Sequence, residues 1–235
     1  MSKLLKWLRR FEGWFGLAAA ACILTGLYLG LVHSPPDYYQ GEVVRIMYIH
    51  VPFASSSLLA YSVLTITSIW YLWKRDPIID NMAHASAGIA VLFTSVALFT
   101  GSIWGKPTWN TWWTWDPKLI SYSIMFLILV GYLMLRTFID DRDKESRYAA
   151  VLAIVGAVDL PIVKFSAEWW RTLHQPLSIS PRGSSIAGPM LHSLLFMMVG
   201  ISLLFTYMVM VRTQKLYLQY LLEAKKGRLL GEIHQ

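Results

Sequence analysis

The sequence predicts an all-α polytopic membrane protein with six transmembrane helices, both termini on the cytoplasmic side and a tryptophan-rich loop on the outer side. Three observations carry this expectation. Of 235 residues, 55% are hydrophobic and only 15% charged, and the apolar residues gather in runs near the ~20 that a helix needs to cross a hydrocarbon core. Lysine and arginine concentrate in alternate connections between those runs, the asymmetry that sets membrane topology. Most of the eleven tryptophans fall in the other connections.

Taken in order, the first run follows KLLKWLRRFEGWFG, whose basic residues look like the start of a secretory signal. Its apolar residues continue to about Val32, beyond the ~7–15 of a signal's apolar core, so an uncleaved helix over about 13–32 is expected. Cys22, the single cysteine, lies inside it after a faintly lipoprotein-like stretch, and an ordinary helix cysteine is the simpler reading. One cysteine builds no disulfide framework, thiolate metal cluster or C-x-x-C-H haem attachment. Further spans are expected at about 53–73, 82–103, 119–137, 149–163 and 188–211. The fifth is short and interrupted by Pro161. No internal period suggests a repeat array, so residues 1–235 read as one integral membrane domain with an outer loop at 104–118.

The N-terminus, the 74–81 and 136–148 connections and the C-terminus together hold 15 of the 21 lysines and arginines. Basic residues are retained on the cytoplasmic side, which places both termini there. The net charge of +7 is therefore mostly a topology signal, with anionic membrane lipids as the nearest partner. Nothing else supports a nucleic-acid partner.

This orientation puts three segments outside, about 33–52, 104–118 and 164–187. They contain Trp104, Trp109, Trp112, Trp113, Trp115, Trp169 and Trp170, with His33, His50 and His174. Within WGKPTWNTWWTWD (104–116), Pro107 suits a helix start and Pro117 a helix end, so a short helix over 108–116 is expected. Its helical wheel would gather Trp109, Trp112, Trp113 and Asp116 on one face and leave Trp115 off it. Two readings of that face stand: an interfacial aromatic belt, or a flat apolar platform with N–H groups at its edge for a large planar ligand.

Histidine binds iron through a neutral ring nitrogen. His33 reads as solvated, His84 and His234 lie near or beyond the cytoplasmic surface, and His192 reads as a satisfied histidine of the bundle. Only His50 and His174 combine outer position with aromatic neighbours, and from separate loops they could bracket a porphyrin. No short motif joins them. Asp159, inside the fifth span, is a functional candidate by its depth, but an ion pair with Lys164 is the favoured reading. Arg45, Lys106, Lys118, Arg171 and Arg182 are outer cations able to meet an acidic ligand edge or lipid headgroups.

WGKPTWNTWWTWD resembles the "WWD" signature of haem-handling membrane proteins, and RIMYIHVP (45–52) and SAEWWRTLHQP (166–176) resemble flanking segments of one such family, cytochrome c maturation protein C, also called haem exporter protein C. The similarity covers roughly residues 24–212. It implies haem b as a non-covalent, transient cargo, with His50 and His174 as axial ligands of the iron. Trp104, Gly105, Trp109, Trp112, Trp113, Trp115 and Asp116 would form the platform, with Trp169 and Trp170 beside it and Lys118, Arg171 and Lys106 as propionate partners. It also implies a periplasmic haem chaperone, an ABC-type ATPase, that ATPase's membrane partner and a small single-span subunit as companions in a bacterial inner membrane. Two positions depart from the family pattern: Asn110, where glycine is frequent, and Pro117-Lys118, where an Ala-Arg pair is usual. Without a Walker motif, nucleophile triad or dinucleotide fingerprint, the chain is expected not to be an enzyme. The alternatives are a permease subunit for haem or another solute, with Asp159 on its path, and a cytochrome c haem lyase, for which the chain is short.

Overall fold

The computed structural model describes residues 3–175, 178–180 and 183–233, with side chains omitted at 180 and 227–233. Arg182 and His234 lie outside the described residues. Six helical stretches are long and apolar enough to cross a membrane, and the chain is a multi-pass membrane protein. α1 (Lys3–Tyr28) ends in a π-helical turn, Leu29–His33. A 3₁₀ turn, Glu42–Ile46, leads into α2 (Met47–Lys74). α3 spans Pro77–Trp109 and α4 Pro117–Phe138. The fifth crossing is divided between α5 (Arg142–Gly156) and α6 (Asp159–Trp169), and α7 runs from Gly188 to Ile233. Between α6 and α7, β1 (Ile179–Ser180) and β2 (Gly183–Ser184) form a minimal antiparallel hairpin, Ile179 opposite Ser184. It is the one sheet among the described residues.

Two helices start with the same device. Asp76 precedes Pro77 and accepts from Ile78 N at 2.8 Å; Asp116 precedes Pro117 and accepts from Leu119 N at 2.9 Å. Each carboxylate satisfies a first-turn N–H, and each proline stands where no N–H is needed.

The fifth crossing departs from expectation. Its helical stretch is Arg142–Trp169, 28 residues long, because the charged turn after the Asp141 cap is already helical and α6 continues to Trp169. The break falls at 157–158, before Asp159. Pro161 sits in the first turn of α6, where its missing N–H costs no bond. Asp159 and Lys164 share one continuous helix, five residues apart and about 140° around its axis, and the expected ion pair is absent among the described residues. Asp159 is buried with Oδ2 unpartnered, while Lys164 is exposed.

α1 packs along α7, α2 along α3, and both α2 and α3 against α7; α4 joins α3 to α5 and α6. Tyr48, Tyr61, Leu64, Phe93, Leu129 and Met197 lie in the shared core. At Gly200 a Cβ would stand 3.0 Å from the backbone nitrogen of Ile23, the close α1–α7 approach that small residues permit between membrane helices. Leu17, Leu24, Phe99 and Leu127 remain exposed, as lipid-facing positions require.

The core also holds an ion network at the far end of α4, about 30 Å from Asp116 at ~1.5 Å per residue. The Arg136 side chain is 2% exposed. It donates to Asp80 and to Glu145 Oε1 at 2.9 Å, with Tyr132 Oη at 3.4 Å and Ser146 Oγ at 3.3 Å. Ser146 in turn donates to Asp80 Oδ2 at 2.9 Å. His84 stands on α3 one turn beyond Asp80.

Candidate functional site

The site begins with the last turns of α3. That helix passes through Pro107 and stops at Trp109, where Asn110 takes a left-handed conformation, φ 58°. Residues 110–116 are not helical, so the helix expected over 108–116 and its wheel face do not form. Trp104, Gly105 and Trp109 ride on α3, while Trp112, Trp113 and Trp115 stand on the loop. Thr111 fixes that loop by donating to Trp113 O at 2.7 Å. Asparagine is, after glycine, the residue that best tolerates a left-handed helix cap, which accounts physically for Asn110 where the family resemblance implied glycine. Lys106 donates to Asn110 Oδ1 at 3.3 Å and to Asn110 O at 3.4 Å.

His50 lies in the first turn of α2, not in a loop. Its Nδ1 is 3.0 Å from Ala97 O and 3.2 Å from Thr100 Oγ1. A carbonyl oxygen only accepts, so Nδ1 carries the proton and Nε2 keeps its lone pair. The ring stands edge-on to Trp104, with centroids 5.6 Å apart, and Trp104 Nε1 donates to Gln40 Oε1 at 2.7 Å. At Gly101 a Cβ would lie 2.9 Å from His50 Cε1. Only glycine lets the imidazole occupy this place.

His174 is held in a matching way by Asp116. Asp116 Oδ2 is 3.2 Å from His174 Nδ1 and accepts from Leu173 N at 3.3 Å, while Oδ1 caps α4. One buried carboxylate thus starts a helix and orients an imidazole 58 residues away. Burial pushes the His174 pKa below its ordinary 6.5, and the Asp116 carboxylate opposes that shift. The neutral ring again has Nε2 free. Trp109 stands edge-on to it at 4.7 Å between centroids.

Two adjoining cavities have His50, Gly105, Trp109, Lys118, Tyr122 and His174 in common. The larger, about 890 Å³, falls within the ~300–1,000 Å³ of small-molecule sites. Trp104 lines the larger, and Trp112 and Trp113 line the smaller. Lys118 lines both and reaches Lys164 O at 3.4 Å. The remaining residues expected at the site stand apart from both cavities. Trp115 is 79% exposed, Trp169 and Trp170 pack on each other at the end of α6, and Lys106 and Arg171 are exposed. His33 is exposed, as expected. His192 is exposed too, contrary to the reading of a satisfied bundle histidine. Arg45 donates to Gly30 O at 2.7 Å and pairs with Glu42.

The site also includes Thr100, Gly101 and Tyr122, which the sequence reading passed over, and Lys164, which it assigns to Asp159. The visible signal for Gly101 was its spacing of four from Gly105, small residues on the helix face that carries Trp104.

The fold is thus an α-helical membrane bundle in which two imidazoles and several tryptophans line one cleft. The family model described as "Heme exporter protein C" matches residues 1–227. A protein of that name from Bradyrhizobium diazoefficiens is 45% identical over 193 residues, covering 82% of this chain and 73% of the relative. Its namesake in Haemophilus influenzae is 39% identical, covering 84% and 81%, and that of Escherichia coli K12 is 40% identical, covering 70% and 67%. The chain belongs to the heme exporter protein C family.

Proposed function

We propose that this chain takes part in haem export for cytochrome c biogenesis by holding haem b non-covalently at its outer face and presenting it to a periplasmic haem chaperone. The observation that carries this reading is the pair of histidines, each with Nδ1 committed to the protein and Nε2 free toward a common cleft. Neutral imidazole is the form that ligates iron, and a fixed Nδ1–H selects that tautomer and orients the ring.

In this reading His50 and His174 are the axial ligands. Ala97, Thr100 and Asp116 hold those rings in place. Trp104, Gly105, Trp109, Trp112 and Trp113 cover the porphyrin faces and rim, and Lys118 meets a propionate. Trp115, Trp169, Trp170, Lys106 and Arg171, which stand outside the cleft, are better placed to meet the chaperone. Trp112 is exposed although it lines the smaller cavity, so the cleft keeps an open edge through which cargo can leave. The family resemblance supplies the setting: one integral membrane unit, both termini cytoplasmic and the 104–118 loop periplasmic, in a bacterial inner membrane. It also supplies an ABC-type ATPase, its membrane partner and a small single-span subunit as companions. ATP hydrolysis then belongs to a companion, and this chain acts as a binding and transfer component, not an enzyme.

The experiment is the absorption spectrum of the purified protein with haem, wild type against His50→Ala and His174→Ala. Each substitution is expected to change the haem band, and a band indifferent to both removes the axial assignment. The permease alternative gains no support, since Asp159 lines neither cavity.

A further inference from the structure

The larger cavity does not end at the histidines. It follows α2 through Leu58 and Leu59 to Ser62, about 18 Å beyond His50 at ~1.5 Å per residue. Leu160 and Phe165 of α6 form one flank, and Leu194, Leu195 and Met198 of α7 form the other. Among the described residues those two helices share no extended packing seam: α6 packs chiefly on α4, and α7 on α1, α2 and α3. Two lining residues, Leu59 at 41% and Leu195 at 42%, are exposed. Both belong to helical stretches that cross the membrane, so the gap faces the bilayer. The Ser62 hydroxyl donates to Leu58 O at 2.8 Å, which keeps this arm of the cavity free of an unsatisfied donor at that point.

The cavity is thus apolar along its membrane arm and polar at its head, where His50, His174, Lys118 and Lys164 line it. An amphiphile with a broad apolar body, an anionic edge and a centre that accepts nitrogen ligands matches all three features. A phospholipid matches the first two and has no use for paired imidazoles. Resting on the haem reading above, we infer that the gap between α6 and α7 is a lateral portal through which haem passes from within the bilayer to His50 and His174.

The test uses the full chain in lipid vesicles with Cys22→Ser, which removes the one native thiol. Leu195→Cys places a new thiol in the mouth, and Leu127→Cys places one on the exposed face of α4, outside the cavity. Each is modified with a bulky maleimide, and haem dissolved in donor vesicles is then offered. The blocked Leu195→Cys protein is expected to load haem roughly tenfold more slowly or worse, as a loss of access rate, while blocked Leu127→Cys loads like its unmodified form. Leu195→Cys protein loaded with haem first and blocked afterwards is expected to keep its spectrum. Equal loading rates at the two blocked positions overturn the portal and leave the haem site standing. A spectrum lost on blocking after loading also overturns it, because the label then acts on the site itself. Unmodified protein that never takes up haem defeats the haem reading, and the portal with it.

Discussion

The two ends of α4 each carry a buried polar cluster, and the two are built on opposite plans. At the Arg136 end each charge finds its partners inside the protein: the guanidinium takes Asp80, Glu145, Ser146 and Tyr132, and Ser146 closes back on Asp80. At the Asp116 end each imidazole is satisfied on one nitrogen and left open on the other. A closed network fixes helices in register and has nothing to offer a ligand. A half-closed one has spent part of its hydrogen-bonding capacity on orientation and keeps the rest for a guest. Burial alone does not separate the two, since Asp80, Arg136 and Asp116 are all buried; the direction of the unspent atoms does.

Breaking each cluster should expose that difference. The largest effect is expected from joint replacement of His50 and His174 by alanine, which removes both free Nε2 atoms and should abolish the haem absorption band while thermal unfolding in detergent moves little. Arg136→Ala should do the reverse. Stranding the buried Asp80 and the half-buried Glu145 costs about 3–5 kcal/mol, visible as a lower unfolding temperature, with an unchanged haem spectrum in the protein that remains folded.

Asp116→Asn keeps an acceptor at only one of the two places that Oδ1 and Oδ2 fill, the helix cap or the ring, and loses the charge that would make His174 a stronger ligand. Haem affinity should fall about 10–100-fold, measured by haem titration. The same pair sets a pH dependence. Burial holds the His174 pKa below 6.5 and Asp116 raises it partway back, so the haem-free ring takes up its second proton in more acid solution than an ordinary histidine does. With asparagine the raising charge is gone, so protonation of His174 in the haem-free protein, followed by the NMR titration of its ring, should move to lower pH. The smallest effect belongs to Asn110. Glycine there should leave thermal stability nearly unchanged, and alanine should cost about 1 kcal/mol for a side chain held at positive φ.

The six crossings were legible because hydropathy reports membrane depth directly. Their ends were not: α7 continues from its apolar run to Ile233 and α5 begins at Arg142, in polar turns that hydropathy does not distinguish from loops. His50 and His174 could be selected from sequence because topology and aromatic neighbours together isolate them. The 108–116 helix failed for an instructive reason. Pro117 was read as a helix stop, yet Asp116-Pro117 repeats Asp76-Pro77, and both pairs start helices. The role of Asp116 toward His174 crosses 58 positions of chain, a distance no local pattern spans. Gly101 matters only through a ring from another helix, so its meaning appears only once α2 and α3 are packed.

α7 has a length that membrane crossing alone does not require. Its 46 residues make a rod of about 69 Å at ~1.5 Å per residue, more than twice the ~30 Å of hydrocarbon a bilayer provides. The first turns of that rod carry Leu194 and Leu195 at the edge of the cleft, and its last turns stand far beyond the opposite headgroups. One unbroken ladder of backbone hydrogen bonds therefore joins the edge of the cleft to the opposite side of the bilayer.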